Sequence, residues 1–165
     1  MSALLFSGCV WIDDALHEPA RLQVGARAPN LEFPLLDGGQ LPLDALRGRE
    51  VLIKFWASYC GACGRSASEF AETRSAFDHD NVVVLSVSLD EDRGDAEEAA
   101  KSWGLDAHPI VFYGAGYDDD PAKAAFGVAS IPETFWIAPD GRVRARGRNL
   151  DPAQIRQTLA RRPSS

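Results

Sequence analysis

One stretch constrains this chain more than any other. The apolar run Val51–Ala57, VLIKFWA, leads within three residues into Cys60-Gly61-Ala62-Cys63, and a helical pattern follows at once. A nearly continuous apolar run rich in strand formers suits a central strand covered on both faces. Beyond it, Cys63, Ala67, Phe70, Arg74 and Phe77 recur at three- and four-residue spacing, which predicts one helix reaching Phe77. Two cysteines therefore sit at a strand-to-helix turn. Residues three apart share a helical face and come within reach of a disulfide.

The rest of the chain alternates in the same way. Val82–Leu89 reads as a second buried strand, and Asp95–Trp103 as a helix that Gly104 stops. Pro109–Tyr113 is a short strand, and Pro121–Phe126 a short helix with proline at its favoured first position. Thr134–Ala138 and Arg142–Arg146 flank Pro139-Asp140-Gly141 as a hairpin, and Asp151 caps a last helix reaching Arg162. Near the start, Leu31–Leu36 and Gln40–Leu43 flank Asp37-Gly38-Gly39 as an N-terminal β-hairpin. Alternating strands and helices predict an α/β layer, and the closing hairpin makes the central sheet mixed. Residues 1–24 read as leader and linker, and residues 25–165 as one domain, long enough to bury a real core.

The chain carries a net charge of −7 and no basic cluster, which argues against nucleic-acid binding. Its acidic stretches, Asp90–Glu98 and Asp118–Asp120, read as solvated loops and helix starts. No apolar run is long enough to span a bilayer. The start, however, is apolar, then small, and ends at a cysteine. Phe6-Ser7-Gly8-Cys9 resembles the end of a bacterial lipoprotein signal, so Cys9 is a candidate for lipidation and a membrane tether. On that reading the chain begins inside a truncated signal. The alternative is a leader with an incidental cysteine.

Three cysteines are too few for a disulfide scaffold. A C-x-x-C can be half of a zinc site, a redox pair or an inert structural pair. Structural zinc needs four ligands, and Cys9, His17, His79 and His108 are not spaced as a second ligand pair. The turn between strand and helix favours the redox reading, in which Cys60–Cys63 is itself the reactive group and no metal or further cofactor is expected. Cys60 opens the helix, where free N–H groups and the positive end of the dipole stabilise a thiolate. It is the expected nucleophile. Cys63, one turn further in, is the expected resolving thiol. The motif fixes the reaction type and leaves its direction open.

Lys54 interrupts the apolar run. Alternation places Leu52, Lys54 and Trp56 on one face, with Ile53 and Phe55 on the other. A buried ammonium beneath the thiols would favour thiolate; otherwise Lys54 snorkels outward or pairs with a carboxylate. Phe55, Trp56, Phe70 and Phe135 are candidate core, Trp103 and Trp136 pack helix on sheet, and His108 lies in a loop.

Gly25–Phe33, Gly48–Cys63 and Gly127–Val143 together resemble the TlpA/ResA-like thioredoxin family within the AhpC/TSA–Redoxin superfamily. The most specific piece is Phe55-Trp56-Ala57-Ser58-Tyr59-Cys60-Gly61-Ala62-Cys63, and the second is Ile131-Pro132-Glu133-Thr134-Phe135. The resemblance implies a thioredoxin fold, with a mixed central sheet flanked by helices, an N-terminal β-hairpin and a βα insertion. It implies an enzyme exchanging electrons between protein thiols or disulfides and an upstream donor. It also implies an extracytoplasmic location, with a monomer expected. It makes Pro132 a cis-proline facing the cysteines, with Ile131 offering its backbone to an extended substrate. Glu133 then either faces the substrate groove or lies on the ordinary surface. Four departures stand out. Tyr59 replaces a tryptophan before the first cysteine, and Gly61-Ala62 lacks the frequent proline. Ser66 and Ser68 replace Glu and Pro, and Lys54 replaces an acidic or amide residue. Two other functions compete. A peroxiredoxin-like peroxidase would need a threonine-containing loop before Cys60, where Ala57-Ser58-Tyr59 stands. A copper-delivery or other metal-binding domain would need a wider cysteine spacing and a distant histidine.

Overall fold

A computed structural model describes residues 21–75 and 82–161. Cys9, His17, Phe77 and His79 lie outside the described residues, as do the lipidation signal and the end of the expected first helix. Seven strands and six α-helices are described, in the order β1 (Glu32–Pro34), β2 (Gln40–Pro42), β3 (Glu50–Trp56), α1 (Gly61–Arg65), α2 (Ala67–Ser75), β4 (Val82–Ser88), α3 (Arg93–Trp103), β5 (Ile110–Phe112), α4 (Gly116–Asp119), α5 (Pro121–Phe126), β6 (Glu133–Ile137), β7 (Val143–Gly147) and α6 (Pro152–Ala160), with a short 3-10 turn at Leu43–Leu46 between β2 and β3.

The central sheet runs β5-β4-β3-β6-β7. β3, β4 and β5 are parallel, while β6 and β7 are antiparallel. The sheet is therefore mixed, as the alternation and the closing hairpin predict. β1 and β2 form a separate hairpin, which a bridge between Leu35 and Val111 and the Leu36 N–H on the Ile110 carbonyl hold to the β5 edge. β3 is buried at every position, as its unbroken apolar run requires.

The two faces of β3 feed two cores. Val51, Ile53 and Phe55 pack with Phe33, Leu85, Val87, Phe126 and Phe135. Leu52 and Trp56 pack with Cys63, Phe70, Ala96, Ala100, Trp136 and Ile155, contributed by helices α1, α2, α3 and α6 and strand β6. Phe55, Phe126 and Phe135 meet pairwise, with ring centroids 5.0 to 5.8 Å apart. Helix signals work where caps are present. Asp92, Asp120 and Asp151 each accept an N–H in the first turn of α3, α5 and α6, and Gly104 and Gly127 close α3 and α5 in the left-handed conformation.

The structure differs from the sequence reading in four places. The first helix is not continuous: α1 ends at Arg65, Ser66 forms a turn, and α2 begins at Ala67. Ser66 Oγ donates to the Cys63 carbonyl at 3.0 Å, a local bond that competes with the helical ladder. α3 starts two residues earlier than expected because Asp92 is the cap. α4 is an additional turn. Finally, the segment from Leu22 to Ala28 is bonded along the chain's own edge. Leu22 N–H reaches Phe126, Gly25 N–H reaches Val143, and Ala28 N–H reaches Gly141, while Arg27 bridges Arg142.

Candidate active site

β3 delivers the chain at Trp56 into the loop Ala57–Tyr59, and Cys60 caps α1. The two cysteines are joined as a disulfide, with Cα atoms 5.2 Å apart. Cys60 Sγ also accepts the Cys63 N–H at 3.1 Å, so a backbone donor is aimed at the sulfur expected to become thiolate. Cys60 is half-buried, whereas Cys63 is 0% exposed. The outer sulfur can meet another protein; the inner one meets Cys60.

The loop before Cys60 is fixed from below by a residue the sequence reading left among solvated acids. Asp90 is buried, and its carboxylate accepts from Ser58 N–H at 3.0 Å, Ser58 Oγ at 2.6 Å and Ser88 Oγ at 2.7 Å. Ser88 stands opposite Trp56 in the β3–β4 ladder, which brings Asp90 under the loop. The only sequence signal is a Ser-x-Asp leaving a strand. Asp120 is likewise buried, as the cap of α5. Five of the remaining acids do gather at the surface: Glu91, Asp92, Asp95, Asp118 and Asp119 line a groove with Tyr59 and Tyr117. Tyr59 is 67% exposed at this rim, an aromatic surface beside Cys60. Burial first, and then the negative Asp90, push its phenol pKa upward.

The Ile131–Pro132 peptide bond is cis, and Pro132 is buried. It lies one residue before the Phe55–Glu133 pair of the β3–β6 ladder, at the end of β3 from which the Cys60 loop departs. Ile131 and Cys60 are both partly buried and pack against both cores. Glu133 takes neither place expected for it. It is buried, and Arg146 donates to its carboxylate through Nε at 2.9 Å and through Nη2.

Lys54 is 1% exposed and lies under the turn between α1 and α2. Its Nζ donates to Ser66 Oγ at 2.8 Å and sits 5.1 Å from the centre of the Phe70 ring. It neither snorkels outward nor pairs with a carboxylate among the described residues. Burial lowers its pKa to about 8, against a smaller upward pull from Glu69. Trp56 is fully buried beneath α1 and meets Trp103 edge-on at 5.6 Å, so Trp103 packs helix on sheet as expected. Trp136 donates its indole N–H to buried Glu50. Gly61 is exposed and Ala62 half-buried between the thiols. His108 lies apart, in a pocket with Asp37, Glu97 and Asp106. Among the described residues no three His, Cys, Asp or Glu side chains are grouped to hold a metal ion.

Comparison with known proteins agrees with this geometry. The sequence model of the AhpC/TSA family matches residues 24–146. The thiol–disulfide oxidoreductase ResA of Geobacillus thermodenitrificans is 30% identical over 127 residues, covering 77% of this chain and 70% of that protein. ResA of Bacillus subtilis is 28% identical over 119 residues, covering 72% and 64%. A thiol–disulfide oxidoreductase from Bacteroides fragilis superposes with a TM-score of 0.69 at 24% identity, over 81% of this chain and 97% of that one, which establishes the shared fold. The chain belongs to the AhpC/TSA family and is a thiol–disulfide oxidoreductase of the thioredoxin fold.

Proposed function

We propose that the Cys60–Cys63 pair reduces protein disulfides outside the cytoplasmic membrane and is itself re-reduced by an upstream thiol donor. The observation that carries this reading is the asymmetry of the pair: an outer sulfur at a helix start, facing a backbone donor, joined to an inner sulfur without solvent access. In the reduced protein the Cys60 thiolate attacks one sulfur of a substrate disulfide, and the other leaves as a thiolate. Cys63 gives up its proton and attacks Cys60 Sγ, releasing the second substrate thiolate. Two electrons pass to the substrate, and the protein is left as the disulfide.

Around this pair, Trp56 supports α1 from below, Tyr59 supplies an apolar rim, and Gly61 and Ala62 leave the space between the thiols open. Pro132 flanks the pair, and Ile131 pairs its backbone with an extended substrate. Residues 1–24 serve as leader and linker, with Cys9 as the lipid attachment that tethers a monomeric domain spanning residues 25–165. The extracytoplasmic place rests on the resemblance to the TlpA/ResA-like family, and the reductive direction is proposed with it.

The test is trapping. Cys63→Ser should accumulate mixed disulfides through Cys60, visible on non-reducing gels and by mass spectrometry, while Cys60→Ser should abolish turnover of a model protein disulfide. Turnover surviving in Cys60→Ser would overturn these roles.

A further inference from the structure

Lys54 is a buried titratable group that the exchange steps do not use. Its ammonium, held by Ser66 Oγ at 2.8 Å and the face of Phe70, has no counter-ion among the described residues while the cysteines are joined. Ser66 Oγ passes the contact on to the Cys63 carbonyl at 3.0 Å. The charge is thus two hydrogen bonds from the backbone of the inner cysteine, on the same buried face of β3 as Trp56 and Cys63. A buried cation with a hydroxyl and a ring for company is costly, and an anion brought near it is worth more than in water. Reduction brings one: the thiolate of the open pair.

Resting on the redox reading above, we infer that Lys54 is a positioning residue that, through Ser66, sets the Cys63 turn and supplies the buried positive charge favouring the thiolate form over the disulfide. The linkage works in both directions. With the disulfide closed, Lys54 loses its proton at about pH 8. With a thiolate nearby, it keeps the proton to higher pH. Within that interval, reduction takes two electrons and one proton into the sulfurs, leaving one thiolate and one thiol, and a second proton from solvent onto Lys54 Nζ. The charged groups near the site are Glu69 on α2, which already raises the Lys54 pKa, and Arg65 on α1, whose guanidinium lies beside Gly61. In the neighbouring strands, Ser86 and Thr134 stand opposite Lys54 and carry no charge.

The experiment measures the exchange equilibrium with a glutathione or dithiothreitol buffer from about pH 6 to 10, for the wild type and Lys54→Met. At neutral pH the wild type should favour the reduced form about tenfold more than Lys54→Met, equivalent to about 30 mV for this two-electron couple. Above about pH 8 the wild-type curve should gain up to one further tenfold change per pH unit, which the variant lacks. In parallel, the wild-type protein labelled at lysine Cε is titrated by NMR in both redox states, and the Lys54 pKa should be higher when reduced. Superimposable exchange curves, or one Lys54 pKa in both states, would overturn the inference. If Lys54→Met does not fold, the NMR comparison decides alone. A wild type that exchanges normally while those curves coincide leaves the redox reading intact; a wild type that does not exchange at all removes the reading itself.

Discussion

Gly64 lies against the indole of Trp103 so closely that a Cβ at residue 64 would fall 2.9 Å from both Cε2 and Nε1. Trp103 in turn meets Trp56 edge-on at the end of β3. The short helix carrying Cys63 is therefore seated on α3 through a residue without a side chain. Gly64→Ala should gain up to about 1 kcal/mol of helix propensity, yet overpacking costs about 1–3 kcal/mol when the neighbour is a rigid ring. The net should be destabilising. Urea unfolding of the disulfide form checks this, with tryptophan fluorescence reporting the displaced indole. A raised midpoint would mean that α1 can lift away at little cost.

Arg146 answers the buried charge of Glu133 and also donates to the Leu22 carbonyl at 2.7 Å. Arg146→Met should leave the carboxylate uncompensated in the β6–β7 hairpin and cost about 3–5 kcal/mol. It should also free the segment that crosses to Leu22. Adding Glu133→Gln removes the stranded charge, so the double variant should recover part of the loss. A double-mutant cycle in urea measures this, and purely additive losses would place the cost in packing.

Asp90 holds Ser58 and Ser88 at once, and so fixes the approach to Cys60. Asp90→Ala strands three donors, each costing about 1–3 kcal/mol if left dry. Water entering at the half-buried Ser58 should soften the total. The amides from Ser58 to Cys60 should lose protection in hydrogen exchange before the rest of the sheet does. Protection unchanged at these amides would show that the loop is held by its own turn.

The redox pair, the central strand and the order of elements are legible in the sequence because each rests on local spacing. Val51–Trp56 has no polar residue except Lys54, and Cys60 and Cys63 are one turn apart. The break at Ser66 is not legible in this way. Helical periodicity runs through it, and the bonds that make it, from Lys54 and to Cys63, depend on β3 lying beneath. Asp120, directly before Pro121, carries the same cap signal as Asp151 and is readable from it. Asp90, by contrast, looks like a member of a solvated acidic run, since its one signal, a Ser-x-Asp leaving a strand, does not say that Ser58 will fold over it. Glu133 is misplaced for the same reason: its partner Arg146 lies across a hairpin. The Leu22–Ala28 segment is held largely at its own backbone groups, by Phe126, Val143 and Gly141 and by the side chains of Arg142 and Arg146, and so leaves little pattern of its own to read.

Lys54 should make the oxidised protein less stable near neutral pH than its burial in an apolar layer would otherwise allow. Burial lowers its pKa from 10.5 to about 8. Between those values the unfolded chain binds the proton and the folded one does not, so this group's contribution to stability rises with pH across that window. Below about pH 8 the full cost of keeping the buried ammonium applies, about 3 kcal/mol at 1.36 kcal/mol per pKa unit. Above 10.5 both states are neutral and the cost is gone. Lys54→Met removes the titration and keeps most of the volume. Its stability advantage over the wild type should therefore be largest and flat up to about pH 8, then shrink toward pH 10.5. Urea unfolding of both disulfide forms at three pH values across that range measures the difference. A gap that stays constant with pH would mean that Lys54 keeps its proton in the folded protein, and that Ser66 and Phe70 solvate it better than burial alone implies.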